Sequence, residues 1–220
     1  MATWLVTGAN RGIGLELVRQ LHERGDTVLA ACRTSSPGLR AVGCRVLEGV
    51  DVADDRVGDV LDKALGDAGL DVVFSNAGIL RRDTGAVIDI DAAREQFEVN
   101  TLGPLRLVNA LLPRLARGAR IGFVSSMAGS IGDAPSGGMY GYRMSKAALN
   151  MAAVNLAGEL ESRGIHVVVL HPGFVRTEMT GGGGNVDAAD AATGLIARLE
   201  ELDASRSGRF VHADGRELPW

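Results

Sequence analysis

The sequence predicts an α/β fold, a doubly wound parallel sheet of about seven strands with helices on both faces. Three observations predict it. Short β-rich runs alternate with longer stretches of helical spacing along the whole chain. Most of the β-rich runs are unbroken apolar stretches, the pattern of strands covered on both faces. A glycine-rich turn joins the first such run to the first helical stretch, where the chain must reverse tightly.

The first strand is expected over residues 3–7 (TWLVT), and the first helix over 11–24, with Ile13, Leu17, Val18 and Leu21 at helical spacing. Residues 27–32 and 44–47 are the next two strands, followed by a helix over 54–65. The fourth strand is 70–75 (LDVVFS), and a long helix is expected over 91–117. Strand 120–125, helix 140–163, strand 165–170 (IHVVVL), helix 187–202 and a short strand at 209–211 complete the order. Right-handed crossovers between parallel strands give the double winding. No repeat and no long linker divides the chain, so residues 1–220 are read as one domain, an ordinary size for a single core.

Composition narrows the function classes. Glycine is abundant, 30 of 220 residues, roughly double average usage. With six prolines and no G-X-Y period, that excess is neither collagen nor linker. The glycines therefore mark turns and places of close backbone approach. A formal charge of −4 argues against nucleic-acid binding as the main task. Cys32 and Cys44 form no metal-binding spacing and read as buried, reduced thiols. No run reaches 18 apolar residues, and the first strand starts at Thr3, which leaves no room for a leader, so a cytoplasmic protein is expected.

Thr7-Gly8-Ala9-Asn10-Arg11-Gly12-Ile13-Gly14 has the context of a dinucleotide turn, after a strand and opening a helix. Its spacing is G-x-x-x-G-x-G. Gly8 permits the turn, Gly12 lets the backbone approach a pyrophosphate, and Gly14 lets helix and strand pack closely. The helix N-terminus supplies N–H groups and partial positive charge. No acid that could bind a free ribose 2′-OH occurs from Thr27 to Arg33. Arg33 and Arg11 suit a 2′-phosphate instead, so NADPH is expected in preference to NADH.

Tyr142 and Lys146 stand at i and i+4 in the 140–163 helix and share a face. An ammonium beside a phenol favours phenolate, which suits proton exchange with a carbonyl oxygen as hydride is transferred.

With these motifs in order, the chain resembles a short-chain dehydrogenase/reductase. The motifs are TGxxxGIG, Asn76-Ala77-Gly78 after the fourth strand, Asn100, Ser125-Ser126 after the fifth, YxxxK, and Pro172-Gly173 after the sixth. Residues 117–130, 137–150 (GGMYGYRMSKAALN) and 214–220 (DGRELPW) resemble the C-factor and sniffer carbonyl-reductase branch. The resemblance implies a Rossmann fold whose C-terminal part forms the substrate pocket. It makes Tyr142 the acid/base, Lys146 the partner of the nicotinamide ribose that lowers the Tyr142 pKa, and Ser126 the holder of the substrate carbonyl. Asn100 would kink its helix and hold a relay water. Asn76, Ala77 and Gly78 would support the adenosine side and the central sheet, and Asp51 and Val52 would read the adenine. Pro172, Gly173, Val175 and Thr177 would lie along the nicotinamide.

The resemblance implies reduction of an aldehyde or ketone to an alcohol with NADP(H), reversible, on a small-molecule substrate. It also implies a homodimer or homotetramer built on its long helices. A second function follows from the C-factor branch: an NAD(P)-binding signalling or regulatory protein with little or no turnover. Ser126 lies sixteen positions before Tyr142, longer than the family's commonest spacing, so Ser125 and Ser126 both remain candidates for the active hydroxyl. After Thr177 the chain reads EMTGGGGNV. Four glycines disfavour a helix there by roughly 1 kcal/mol each relative to Ala, so a flexible loop that orders on cofactor binding is expected. Ile131, Met139, Phe174 and Met179 are candidate apolar walls.

Overall fold

The computed structural model describes residues 1–82, 87–133 and 137–220. Seven strands lie in one parallel sheet in the order β3-β2-β1-β4-β5-β6-β7. They are β1 Thr3–Thr7, β2 Thr27–Ala31, β3 Arg45–Leu47, β4 Leu70–Ser75, β5 Leu115–Val124, β6 His166–His171 and β7 Arg209–His212. The winding reverses between β1 and β4. In such sheets a ligand crevice opens there, outside the strands' carboxyl ends.

The helices are α1 Gly12–Glu23, α2 Pro37–Val42, α3 Val57–Leu65, α4 Ile90–Phe97, α5 Gly103–Leu111, α6 Tyr140–Leu160 and α7 Ala188–Glu200. Alternation along each strand splits the core into two layers. Leu5, Val73, Ile121, Phe123, Val167, Val169 and Phe210 face α3, α5 and α6, while Trp4, Val6, Phe74, Val168 and Leu170 face α1 and α7. Cys32 is buried as expected, whereas Cys44 is only half-buried, and both are free thiols. Among the described residues no helix is long and apolar enough to cross a membrane.

Two elements depart from expectation. α2 was not anticipated. It is six residues long, starts on Pro37, and is capped by the Ser36 hydroxyl, which accepts from the Leu39 N–H at 3.1 Å. The single helix expected over 91–117 is broken. α4 runs into a π-helical turn, Glu98–Leu102, then α5 and a 3₁₀ turn, Leu112–Arg114, and β5 begins at Leu115. Two prolines account for this. Pro104 has no N–H to give the Asn100 carbonyl four residues back, and the Gly103 N–H reaches the Glu98 carbonyl instead, five residues back. Pro113 ends the helical run for the same reason.

Candidate active site

The glycine turn is held by its neighbours' backbones. Gly8 has φ +65°, and a Cβ on Gly14 would lie 2.2 Å from the Gly8 carbonyl oxygen. The Thr7 hydroxyl accepts from the Asn76 and Ala77 N–H groups, each at 3.1 Å. The Asn76 amide donates to the carbonyls of Thr7 and Gly8 at 3.0 and 3.2 Å. These bonds tie the end of β1 to the end of β4 across the crevice. The Asn10 amide anchors the turn to the Thr34 carbonyl at 3.2 Å.

α1 starts without a side-chain cap. Arg11 occupies the N-cap position, makes no capping bond, and no acid lies in the first turn. The first N–H groups, Ile13's among them, are thus left for an anion. This cradle fits the pyrophosphate of a dinucleotide. Arg33 stands 3.9 Å from Asp51 with its side chain 70% exposed, and the Asp51 carboxylate accepts from the Ala53 N–H at 3.0 Å. Val52 is buried against Gly103, where a Cβ would come within 2.9 Å of it.

The catalytic candidates gather at the start of α6. Lys146 is buried and donates from Nζ to the Val124 carbonyl at 2.8 Å. Its Nζ lies 5.9 Å from the Tyr142 ring centroid and 3.7 Å from the Cβ position of Gly78. Asn100 is fully buried. Its oxygen accepts from the Ile79 N–H at 2.8 Å, and its amide donates to the Ile79 carbonyl at 2.9 Å and to the Ser145 hydroxyl at 3.1 Å. Ser145 in turn donates to the Tyr142 carbonyl at 2.8 Å.

The two serines differ. The Ser125 hydroxyl is buried and donates to Asn150 Oδ1 at 2.6 Å. The Ser126 hydroxyl opens the 3₁₀ turn Met127–Gly129 by accepting from the Ala128 N–H, and it faces the Tyr142 phenol.

Burial raises the Tyr142 pKa, and the Ser126 hydroxyl works against it. Burial also lowers Lys146 to about 8. The expected depression of Tyr142 by Lys146 is therefore not met. The ammonium carries its own desolvation penalty and lies over the ring, 5.9 Å from its centroid, while burial dominates at the phenol. The start of α6 is strained as well, since Met139 has φ +52°, unusual for a residue with a side chain. Among the wall candidates Ile131, Phe174 and Met179 are exposed, while Met139 is half-buried.

The segment after β6 closes on itself. Gly173 has φ +88°, and Val175 is buried and bridged to Val186. The Arg176 N–H donates to the Val186 carbonyl at 2.9 Å, and the Asn185 N–H to the Phe174 carbonyl at 2.8 Å. The Thr180 hydroxyl donates to the Val175 carbonyl at 2.9 Å, and a Cβ on Gly184 would meet the Phe174 carbonyl oxygen at 2.5 Å. As expected no helix forms here, but the segment is a set of pinned turns rather than a free loop. Thr177 reaches back to the glycine turn, with its Cγ2 3.4 Å from the Cβ position of Gly12.

The structure thus gathers Asn100, Ser126, Tyr142 and Lys146 near one point, and Thr177 beside the glycine turn. Thr7, Ser145 and Asn150 also support the site, and the sequence did not lead one to expect them. Ser145 lies inside the YxxxK motif at i+3 from Tyr142, a signal open to the same helical argument, and Thr7 opens the TGxxxGIG motif; Asn150 has no local pattern.

A family model described as short chain dehydrogenase matches residues 2–185. A 1-hydroxy-2-glutathionyl-2-methyl-3-butene dehydrogenase of Rhodococcus sp. is 44% identical, each chain being covered completely. The C-signal of Myxococcus xanthus is 43% identical over 155 residues, 69% of this chain and 93% of that one. A Pseudomonas aeruginosa carbonyl reductase solved in complex with NADP superposes with a TM-score of 0.88 at 34% identity, with complete coverage of both chains.

Proposed function

The chain belongs to the short-chain dehydrogenase family, and from that premise we propose that it is an NADPH-dependent carbonyl reductase, residues 1–220 acting as one unit. The observation that carries the reading is the convergence of Tyr142, Ser126, Lys146 and Asn100 beside an uncapped glycine turn.

When bound, the nicotinamide supplies a hydride to the carbonyl carbon of an aldehyde or ketone. The residues manage position and protons. Ser126 donates a hydrogen bond to the substrate oxygen, and Tyr142 gives that oxygen the proton from its hydroxyl as the new C–H bond forms. In the reverse direction Tyr142 takes the proton from an alcohol. Lys146 holds the nicotinamide ribose and supplies positive charge near the phenol. Asn100 holds the helix open through its bonds to Ile79 and Ser145, and orients a relay water. Asp51 and Val52 bound the adenine site, while Asn76, Ala77 and Gly78 form the floor. Pro172, Gly173, Val175 and Thr177 border the nicotinamide side. Arg11 and Arg33 take the 2′-phosphate.

The similarity to C-signal supports a second reading, a cofactor-binding signalling protein with little or no turnover. Retention of Asn100, Ser126, Tyr142 and Lys146 favours catalysis.

Absorbance at 340 nm separates the readings. The panel runs aldehydes and ketones with NADPH and NADH, and a hydroxylated glutathionyl thioether with the oxidised cofactors, after the relative's named substrate. Turnover is expected with NADPH favoured by about tenfold or more in kcat/KM, the scale of one charge-assisted contact. An NADH preference overturns the cofactor assignment. Tight cofactor binding without turnover on any substrate supports the signalling reading.

A further inference from the structure

Arg11, offered above to a cofactor phosphate, already holds an anion. Its guanidinium is ion-paired with the Glu178 carboxylate, 167 residues away in sequence. Three observations give this contact a role. The first turn of α1 contains no acid, and its N-cap side chain satisfies none of its N–H groups. Glu178 brings a carboxylate to that electropositive end from the other side of the crevice. The adjacent residue Thr177 packs against Gly12, where a phosphate-binding backbone has to be accessible. The turns at 177–185 are anchored at their base, by the Val175–Val186 bridge and the Arg176–Asp187 ion pair. Their tip is open, with nothing within 4 Å of the Cβ positions of Gly181 and Gly182.

We propose that Glu178 is an internal stand-in for a cofactor phosphate, holding the 177–185 turns across the glycine turn until a phosphate displaces it from Arg11. This rests on the reading of the groove as a dinucleotide site. Opening of the turns is thereby coupled to the arriving ligand's negative charge. Glu178 and the phosphate compete for one guanidinium, and like charges cannot share it without repulsion. Both partners are well exposed, at 58% and 76% of the side chain, so the effect is modest and screened by salt.

The test uses the whole protein and Glu178→Gln. NADPH and NADH are titrated by nucleotide fluorescence at low and high ionic strength, and amide exchange of 177–185 is followed without cofactor. Glu178→Gln is expected to bind NADPH roughly two- to fivefold more tightly at low salt, the gain fading at high salt, with faster exchange in the turns. Tightening confined to NADPH identifies the 2′-phosphate as the displacing group, and tightening for both identifies the pyrophosphate; either supports the proposal. Unchanged or weaker binding in the variant, with the wild type binding normally, overturns it alone. A wild type that binds neither dinucleotide overturns the groove reading and this proposal together.

Discussion

The two halves of the crevice are built from different materials. On the β1–α1 side the chain uses backbone: a Cβ on Gly14 would meet the Gly8 carbonyl oxygen at 2.2 Å, one on Gly8 would meet the Ala77 Cα at 2.9 Å, and Asn76 stitches carbonyls together. On the β5–α6 side it uses buried polar side chains, each held by a hydrogen bond: Asn100 to Ser145, Ser125 to Asn150, and Lys146 to the Val124 backbone carbonyl. Binding a charged, extended ligand needs many N–H groups and little chemistry. Moving a proton needs a few groups of defined pKa at defined places. A substitution in the first half should therefore damage binding and folding, and one in the second should damage turnover.

Four experiments break or sharpen that contrast. Tyr142→Phe is expected to lower kcat by about 10²–10⁴-fold with the cofactor dissociation constant nearly unchanged; surviving turnover defeats the assignment. Gly14→Ala is expected to do the reverse. Its methyl group must displace both the Gly8 carbonyl and the Asn76 amide, so NADPH affinity falls by about two orders of magnitude and overpacking costs roughly 1–3 kcal/mol of stability, seen as a lower melting temperature. A Gly14→Ala protein with normal affinity contradicts the backbone-built picture.

The third experiment concerns linkage at Lys146, whose pKa is about 8 in the folded chain against about 10.5 when free. Between those values the unfolded chain binds more protons, so stability should rise with pH across that window, by up to roughly 3 kcal/mol. Above pH 10 the raised Tyr142 acts with the opposite sign, since the unfolded chain loses that proton first. Urea unfolding of Lys146→Met at pH 8 and 10 should show the rise flattened, and equal slopes for variant and wild type remove the cause.

The smallest effects come from the serine pair. Ser126→Ala should reduce kcat and, by giving up the bond from the Ala128 N–H that opens the 3₁₀ turn, lose about 1 kcal/mol of stability as well. Ser125→Ala should retain most turnover but lose about 1 kcal/mol of stability through its bond to Asn150. Interchanged outcomes would move the active hydroxyl to Ser125.

What was legible in the sequence follows the same division. Strands β1 and β4, helix α1 and the glycine turn were readable because sterics allow few residues there, and glycine spacing records it directly. Tyr142 and Lys146 were readable because helical geometry makes i and i+4 neighbours. α2 has six residues and no room for a periodic pattern. The broken helix around Asn100 was a misreading of available signals, since Pro104 and Pro113 both lie inside the expected span. Glu178 and Asn150 could not be read at all, since their partners lie 167 and 25 residues away and nothing local announces the pairing. The electrostatics were read backwards for Tyr142, because a motif records which charges are near and not how deeply they are buried.

Two glycines let α6 seat tightly against its neighbours. Gly141 brings the helix so near α4 that a Cβ would lie 2.5 Å from the Gln96 amide, and Gly129 brings the 3₁₀ turn so near α6 that a Cβ would lie 2.8 Å from the Lys146 backbone. A rod gripped at two points around its circumference cannot roll. At a radius of roughly 6 Å, about 10° of roll would carry a side chain by about 1 Å, and a 1 Å error in placing a reacting group slows a reaction by about a hundredfold. With Tyr142 read as the proton donor, the aim of its phenol is set by two side chains that are not there.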